Sequence, residues 1–143
     1  MKEYFYLKKK DKEEILAQIR SILQKRPEVV FVYCHGTFLL ENKIKFRDID
    51  IALYLKGDFK REPFDYEQEI AELLEKKIKY PVDVKVLNVT PFYFLNNVFR
   101  AGKLLFSRNN YLLTELIEDS NHQAMINYNF SLQSLRELIS DDY

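Results

Sequence analysis

Two aspartates, Asp48 and Asp50, stand two positions apart in a segment of alternating apolar residues. Such alternation is typical of a β-strand, in which residues two apart share one face of the sheet. Both carboxylates therefore point to the same side, roughly 7 Å apart along the backbone at about 3.3 Å per residue. In proteins, Mg²⁺ is held by one or two carboxylates together with the oxygens of a substrate phosphate. The pair therefore predicts a site for magnesium and a phosphorylated substrate.

A third carboxylate, Asp83, lies on a later predicted strand whose other residues are mostly apolar. A carboxylate buried there without a partner would cost several kcal/mol, on the order given for unpaired polar groups. We therefore expect a bound ion or a basic group to compensate for it. One interpretation makes Asp83 part of the same acidic site, and the other makes it the partner of Lys85 in an ion pair on the same face.

A glycine and a hydroxyl residue, Gly36 and Thr37, follow a buried predicted strand. Glycine allows a phosphate to approach the main chain closely, and a hydroxyl together with the amides of a helix start can donate hydrogen bonds to its oxygens. Ten residues separate this pair from Asp48. The neighbouring His35 either contacts the substrate or is a strand-end residue with an ordinary hydrogen bond.

Strands and helices alternate along the chain and would position these residues. β-branched runs and strict alternation predict strands, whereas apolar residues at helical spacing predict helices. The pattern indicates an α/β fold with a small mixed sheet flanked by helices. Predicted strands cover 29–35, 48–55, 82–87 and 103–106. Predicted helices cover 11–26, 64–80, 92–100 and 110–139, the last being two helices or one helix broken near 119–122.

The 143 residues fall within the usual size of one domain. We predict a single domain over 1–143, with a core at about 11–106 and a C-terminal helical segment at about 110–139.

Lysine plus arginine (22) equals aspartate plus glutamate (22), so the overall charge gives no general attraction to DNA or to acidic membranes. Cys34 is the only cysteine, which excludes an intrachain disulfide and is most simply explained as a small core residue. No signal-peptide core or membrane-length apolar run occurs, and we expect a cytoplasmic protein.

The arrangement of Gly36-Thr37, ten residues and Asp48-Ile49-Asp50 resembles the signature of the minimal nucleotidyltransferases of the polymerase-beta superfamily. Their signature is Gly-Ser, ten residues and Asp-x-Asp, with a third carboxylate on a later strand. The similarity continues through the segment around Asp83 and through Gly102 to Phe106, and it covers roughly 29–106.

The resemblance implies a nucleotidyltransferase fold and a role for each residue of the motif. Asp48 and Asp50 would be ligands of Mg²⁺, and Asp83 would be a third ligand or the general base for the attacking hydroxyl. Gly36 and Thr37 would hold the triphosphate. A hydroxyl would attack the α-phosphate of the nucleotide in line, and pyrophosphate would leave.

Members of this family of similar length resemble the antitoxin of a two-protein system. The resemblance therefore implies transfer of AMP from ATP to a tyrosine of a HEPN-domain RNase toxin encoded beside the chain, and a hetero-oligomer with that toxin. The bare catalytic core, which leaves no room for a separate tRNA-binding or drug-binding domain, favours this interpretation.

Departures from the family pattern keep other interpretations open. Thr37 replaces the usual Ser, Arg47 stands where a Ser commonly precedes the first Asp, and the Ala and Arg-Gly that often follow Gly-Ser are missing. One alternative is a binding module with a decayed site that neutralises a HEPN partner by contact. The apolar stripe from Leu112 to Ile139 would then be its docking surface, unless that stripe packs in the core. Another alternative is a small-molecule nucleotidyltransferase, although such enzymes generally carry an added acceptor domain.

Overall fold

The structure is a computed structural model that describes residues 3–40 and 45–141. The elements are α1 (Lys9–Gln24), β1 (Val29–His35), a first 3-10 turn (Thr37–Leu39), β2 (Ile49–Leu55), α2 (Pro63–Ile78), β3 (Val82–Val86), a second 3-10 turn (Leu87–Val89), α3 (Phe92–Ala101), β4 (Lys103–Ser107) and α4 (Asn110–Asp141). The strands form one sheet in the order β3-β2-β1-β4. β1 is antiparallel to both of its neighbours, and β2 is parallel to β3. The mixed sheet with flanking helices confirms the fold class predicted from the sequence.

The sheet separates two apolar layers. On one face, α1 and α2 pack against side chains of β1 and β2 such as Val32, Cys34 and Ile51. On the other face, α3 and the start of α4 pack against Phe31 and Tyr33 of β1. β1 is buried along almost its whole length because it lies in the middle of the sheet and is covered on both sides. Its continuous apolar run in the sequence is therefore explained.

The outer edge of β3 is covered by two carboxylates of α2. Glu75 accepts a hydrogen bond from the backbone N–H of Val82 at 2.9 Å, and Glu67 accepts one from Val86 at 2.7 Å. Glu67 is itself buried. An edge strand presents unpaired N–H groups that can recruit strands of other chains, and these two side chains satisfy that need within the molecule.

The C-terminal segment is one continuous helix, α4, so the predicted break near 119–122 was wrong. The residues there form helices only weakly, but the segment contains no glycine or proline, the residues that end helices most strongly. Tertiary hydrogen bonds also fix it: the Asn96 Nδ2 group of α3 donates to Ser120 Oγ at 3.3 Å and to Asn121 Oδ1 at 2.5 Å. None of the helices in the described ranges, α4 included, has the length and hydrophobicity needed to cross a membrane.

Two strand boundaries also differ from the predicted ones. β2 begins at Ile49, so Asp48 lies just before the strand, and Leu87 belongs to the second 3-10 turn. Asn88 in that turn explains why β3 stops. Its amide donates to the carbonyl of Leu55 at 2.8 Å and accepts from the Leu55 N–H at 2.8 Å, which ties the turn to the end of β2.

Candidate active site

Three neighbouring strands place polar side chains in one row across the sheet. Asp50 on β2 lies directly opposite His35 on β1 and directly opposite Asp83 on β3. Residues directly opposite each other in neighbouring strands carry their side chains on the same face, about 5 Å apart. The structure therefore brings two of the three predicted carboxylates together, with His35 on the far side of Asp50.

Asp83 is exposed, which corrects the expectation that it would be a buried carboxylate in need of compensation. β3 is an edge strand, and only one of its faces is buried. Val82, Val84 and Val86 therefore lie in the core, while the alternate positions face solvent. Asp83 and Lys85, both within the described ranges, form no ion pair. The ion-pair interpretation of Asp83 is therefore not supported by the geometry.

Asp48 completes an acidic group around Asp50. Burial is the main reason that the pKa of the Asp50 carboxyl is raised to about 6, and the nearby charges of Asp48 and Asp83 contribute to the same shift. In the part of the chain that the structure describes, no lysine, arginine or histidine forms an ion pair with these three carboxylates. A partly buried carboxylate with two like charges near it is an environment that a bound cation would stabilise.

The acidic group is an open arrangement and is not a closed metal cage. Within residues 3–40 and 45–141, no three His, Cys, Asp or Glu side chains converge closely enough to hold a metal ion by themselves. Mg²⁺ usually keeps several ligands from water or from substrate phosphates and takes only one or two carboxylates from the protein. The donor set around Asp48 and Asp50 fits a Mg²⁺ ion that is bound together with a triphosphate.

The glycine turn lies directly against this group. Gly36 has φ of +82° and ψ of −165°, a conformation that residues with a Cβ rarely adopt. A Cβ atom added at Gly36 would lie 2.2 Å from Asp50 Oδ2, so the position also needs the absence of a side chain. Thr37 follows as the first residue of the 3-10 turn and is exposed. Gly36 therefore lies against the Asp50 carboxylate, and Thr37 follows it in the turn.

His35 and Phe94 form the wall of the site on the α3 side. Their rings meet edge to face with centroids 5.8 Å apart. Burial lowers the pKa of His35 below its usual value, and the charge of Asp83 opposes this effect. Phe94 was not singled out in the sequence, because its place opposite His35 follows only from the packing of α3 on the sheet.

A cavity of about 620 Å³ opens beside this wall. It is lined by polar and apolar side chains of β3, of the second 3-10 turn and of the first turns of α2 and α3. Phe94 lines both the cavity and the contact with His35, and Lys85 lies two residues after Asp83 on the same face of β3. The cavity therefore shares Phe94 with the wall and Lys85 with the strand of Asp83, while the carboxylates of Asp48, Asp50 and Asp83 do not line it.

Arg47, which departs from the family pattern, points toward the N-terminal segment. Its guanidinium group lies 5.6 Å from the centre of the Tyr4 ring, a cation–π contact. Both residues are exposed. Arg47, which stands where the family commonly has Ser, therefore does not neutralise the carboxylates of Asp48 and Asp50.

Comparisons with known proteins agree with this geometry. The family model described as "Polymerase beta, Nucleotidyltransferase" matches residues 17–111. A chain in the crystal structure of the toxin–antitoxin MntA–HepT is 21% identical, with a TM-score of 0.60 over 91% of this chain and 97% of that chain. A chain in the structure of the tri-AMPylated Shewanella oneidensis HEPN toxin in complex with MNT antitoxin is also 21% identical, with a TM-score of 0.61 over 92% and 97%.

A third structure, of a toxin–antitoxin with AMP-PNP, contains a chain that is 22% identical, with a TM-score of 0.59 over 89% of this chain and 96% of that chain. At these identities the likeness shows a common fold. A comparison with curated proteins found no match. The family model spans two thirds of the sequence and includes Gly36, Asp48, Asp50 and Asp83, and the chain belongs to the polymerase-beta nucleotidyltransferase family.

Proposed function

We propose that this chain is a Mg²⁺-dependent nucleotidyltransferase and an antitoxin, which transfers AMP from ATP to a tyrosine hydroxyl of a HEPN-domain RNase toxin. The observation that carries the proposal is the row formed by Asp50 and Asp83, with Gly36 in contact range of Asp50. The family membership supports nucleotidyl transfer. The tyrosine acceptor and the toxin partner are supported by the fold shared with chains of toxin–antitoxin complexes, one of which holds an AMPylated toxin. Because the reaction uses ATP, we propose that it takes place in the cytoplasm.

In the proposed reaction, Asp48 and Asp50 would hold the metal ion, and Gly36 with Thr37 would hold the triphosphate. The bound Mg²⁺ would neutralise the charge of the triphosphate as the leaving group departs. Gly36 lies against the Asp50 carboxylate, so a triphosphate held at Gly36 and Thr37 would lie beside the proposed metal ligands. Most of the rate enhancement in such a site comes from positioning and from charge neutralisation.

Asp83 is proposed to accept the proton of the attacking hydroxyl. The acceptor oxygen forms a bond to the α-phosphorus, the bond from that phosphorus to the bridging oxygen breaks, and pyrophosphate leaves. The proton of the hydroxyl passes to the Asp83 carboxylate, which is exposed and can release it to solvent. Since Asp83 lies directly opposite Asp50, it is on the correct strand to reach a hydroxyl that approaches the same phosphorus.

The direction of attack identifies the side from which the acceptor enters. In-line displacement needs the attacking and leaving oxygens on opposite sides of the phosphorus. If pyrophosphate is held at Gly36, we propose that the hydroxyl approaches from the side of β3, the strand whose Lys85 lines the cavity together with Phe94. The exposed aromatic rings of Phe64 and Tyr93 at this cavity suit an acceptor residue that is itself aromatic.

The proposal is tested with ATP labelled at the α-phosphate, Mg²⁺ and the HEPN-domain toxin that we propose is encoded beside this chain. We expect label on the toxin with the wild-type chain, no label with Asp50→Asn, and labelling slower by at least about 100-fold with Asp83→Asn. Asp58→Asn, which changes an exposed aspartate outside the site, is the matched control and should behave as the wild type.

The labelling experiment, combined with calorimetry, separates catalysis from neutralisation by contact. Calorimetry of the wild-type chain should show ATP binding that requires Mg²⁺. A chain that silences the toxin without transferring label and without binding ATP would be a contact inhibitor, and the proposed activity would be wrong. Labelling that persists in Asp50→Asn would contradict the assignment of the site.

A further inference from the structure

The second half of α4 extends beyond the rest of the fold. Up to Ser120 the helix packs against α3, with Leu113 and Ser120 buried. From Asn121 to Ser140, here called the α4 extension, the side chains are exposed at all but two positions, which are half-buried. At about 1.5 Å per residue, its 20 residues reach about 30 Å. The extension is therefore a helix without a layer of this chain to pack against.

Large apolar side chains are concentrated on this extension. Their exposed fractions run from 38% to 67%, and they are Met125, Ile126, Tyr128, Phe130, Leu135, Leu138 and Ile139. Single exposed apolar residues are ordinary on protein surfaces, but a contiguous group of this size marks a surface that another molecule covers. Methionine and aromatic residues are also the types enriched where proteins contact each other.

The extension also lacks charge where the rest of the chain is rich in it. Thirteen consecutive residues, 123–135, contain no Asp, Glu, Lys, Arg or His, although 31% of the whole chain is charged. A helix exposed to water normally carries charged residues on its solvent side. The centre of a protein–protein interface is, in contrast, depleted of charge. This independent feature of the sequence indicates that the extension is covered when the protein is in its assembly.

The apolar residues lie on two sides of the helix. Tyr128, Leu132, Leu135 and Ile139 recur at spacings of four, three and four and form one stripe. Ile126 and Phe130 are four apart on the other side, because Phe130 is turned by about 200° from Tyr128 at about 100° per residue. Pairing with the same stripe of a second copy would cover only one of these sides. A groove that encloses the helix covers both.

We propose that the α4 extension inserts into an apolar groove of the HEPN-domain toxin and is the main docking element of this antitoxin. The choice of partner rests on the function proposed above and on chains of toxin–antitoxin complexes that share the fold. One of these matches covers 92% of this chain, which leaves about 11 residues unmatched, so the match enters the 20-residue extension. The extension is thus shared, in part, with a chain that is found in complex with a HEPN toxin.

The test measures the affinity of the purified chain for the HEPN-domain protein encoded beside it. We expect Tyr128→Glu with Leu135→Glu on one side, and Phe130→Glu on the other, each to weaken the complex at least 100-fold. Tyr6→Glu places the same charge at an exposed aromatic residue outside α4 and should leave the affinity unchanged. Circular dichroism and melting curves of all variants should match the wild type, since the substituted side chains are exposed.

Unchanged affinity in the α4 variants would overturn the proposal, as would failure of the wild-type chain to bind the toxin. The proposal would also be overturned if the chain alone formed a dimer that dissociates in the variants while their affinity for the toxin stayed the same.

Transfer of AMP is measured in parallel. A complex that depends on the extension but yields no AMPylated toxin would contradict the proposed function and uphold the docking surface. AMP transfer that the variants do not affect would uphold the proposed function and contradict the docking surface.

Discussion

Gly36 and Asp50 are adjacent in space because the turn after β1 folds directly onto the carboxylate of β2. A Cβ atom at Gly36 would lie 2.2 Å from Asp50 Oδ2 and 3.2 Å from its Cγ. No side chain fits in that space without displacing the carboxylate. The glycine is therefore required by the position of the acidic residue as well as by its own backbone angles.

Gly36→Ala should inactivate the proposed transferase by moving Asp50. The positive φ of +82° adds a cost of about 1–3 kcal/mol to folding, since alanine is strained there. We expect loss of AMP transfer, weaker Mg²⁺-dependent ATP binding in calorimetry and a lower melting temperature. Gly57→Ala is the matched control, because a Cβ atom at Gly57 meets no atom within 4 Å. Full activity of Gly36→Ala would show that the turn is not part of the site.

Metal-dependent binding of ATP should weaken as the pH falls through about 6. The pKa of Asp50 is raised to about 6 by burial and by the charges of Asp48 and Asp83, so its carboxylate is protonated below that pH. A protonated carboxyl is a poor ligand, and we expect the apparent affinity for Mg²⁺ to fall by up to about tenfold per pH unit below 6. Titrations with Mg²⁺ from pH 5 to pH 8 measure this. An affinity that does not change below pH 6 would contradict the role of Asp50.

The raised pKa of Asp50 also predicts how the stability of the metal-free protein changes with pH. Because the folded state holds the proton of Asp50 more tightly than the unfolded state does, stability without metal decreases as the pH rises from about 4 to 6. Asp50→Asn removes this penalty and should stabilise the metal-free protein at pH 7 by up to about 1 kcal/mol, allowing for screening by solvent. Urea unfolding at pH 5 and pH 7 checks the prediction, and Asp58→Asn should show no such gain.

Glu67 should contribute to stability through the edge of β3. Its buried carboxylate accepts the N–H of Val86 at 2.7 Å, and Glu67→Leu would leave this N–H without a partner. We expect a loss of about 1–3 kcal/mol in the free energy of unfolding, the usual cost of an unsatisfied buried donor. Glu67→Gln keeps an accepting oxygen and should lose less, and Glu72→Leu tests an exposed glutamate of the same helix. Equal stability of Glu67→Leu and Glu72→Leu would contradict the edge contact.

Cys34 should be unreactive in the folded protein. It is fully buried on β1, and burial raises the pKa of its thiol to about 12, with the charge of Asp50 acting in the same direction. The thiolate is the reactive form, and almost none of it is present at pH 8. An Ellman assay should detect no thiol in the native chain and one after denaturation. Rapid native reaction would place Cys34 on the surface.

Much of the fold could be predicted because its signals are local. β1 has the predicted bounds, 29–35, since its continuous apolar run requires burial on both faces. The glycine and the Asp48–Asp50 pair could be predicted to lie close together, because their residue types and their spacing match a family signature.

The remaining features depend on contacts between distant elements. The sequence does not show that β3 is an edge strand, and Asp83 was therefore expected to be buried although it is exposed. The continuity of α4 depends on Asn96, which lies 24 residues before Ser120 and donates a hydrogen bond to it. Phe94 belongs to the site only because α3 crosses the sheet beside His35.

The contrast between the two halves of α4 has a thermodynamic consequence. The first half is held by the core and should exchange its amide hydrogens only on global unfolding. Beyond Asn121 the second half relies mainly on helix propensity, which in proteins contributes less to helix stability than tertiary packing does. Part of the favourable energy of any contact made by the second half must therefore be used to order it. A partner that encloses this helix would bind with less affinity than the buried interface area suggests. It would, however, slow amide hydrogen exchange in the second half of α4 far more than in the remainder of the molecule.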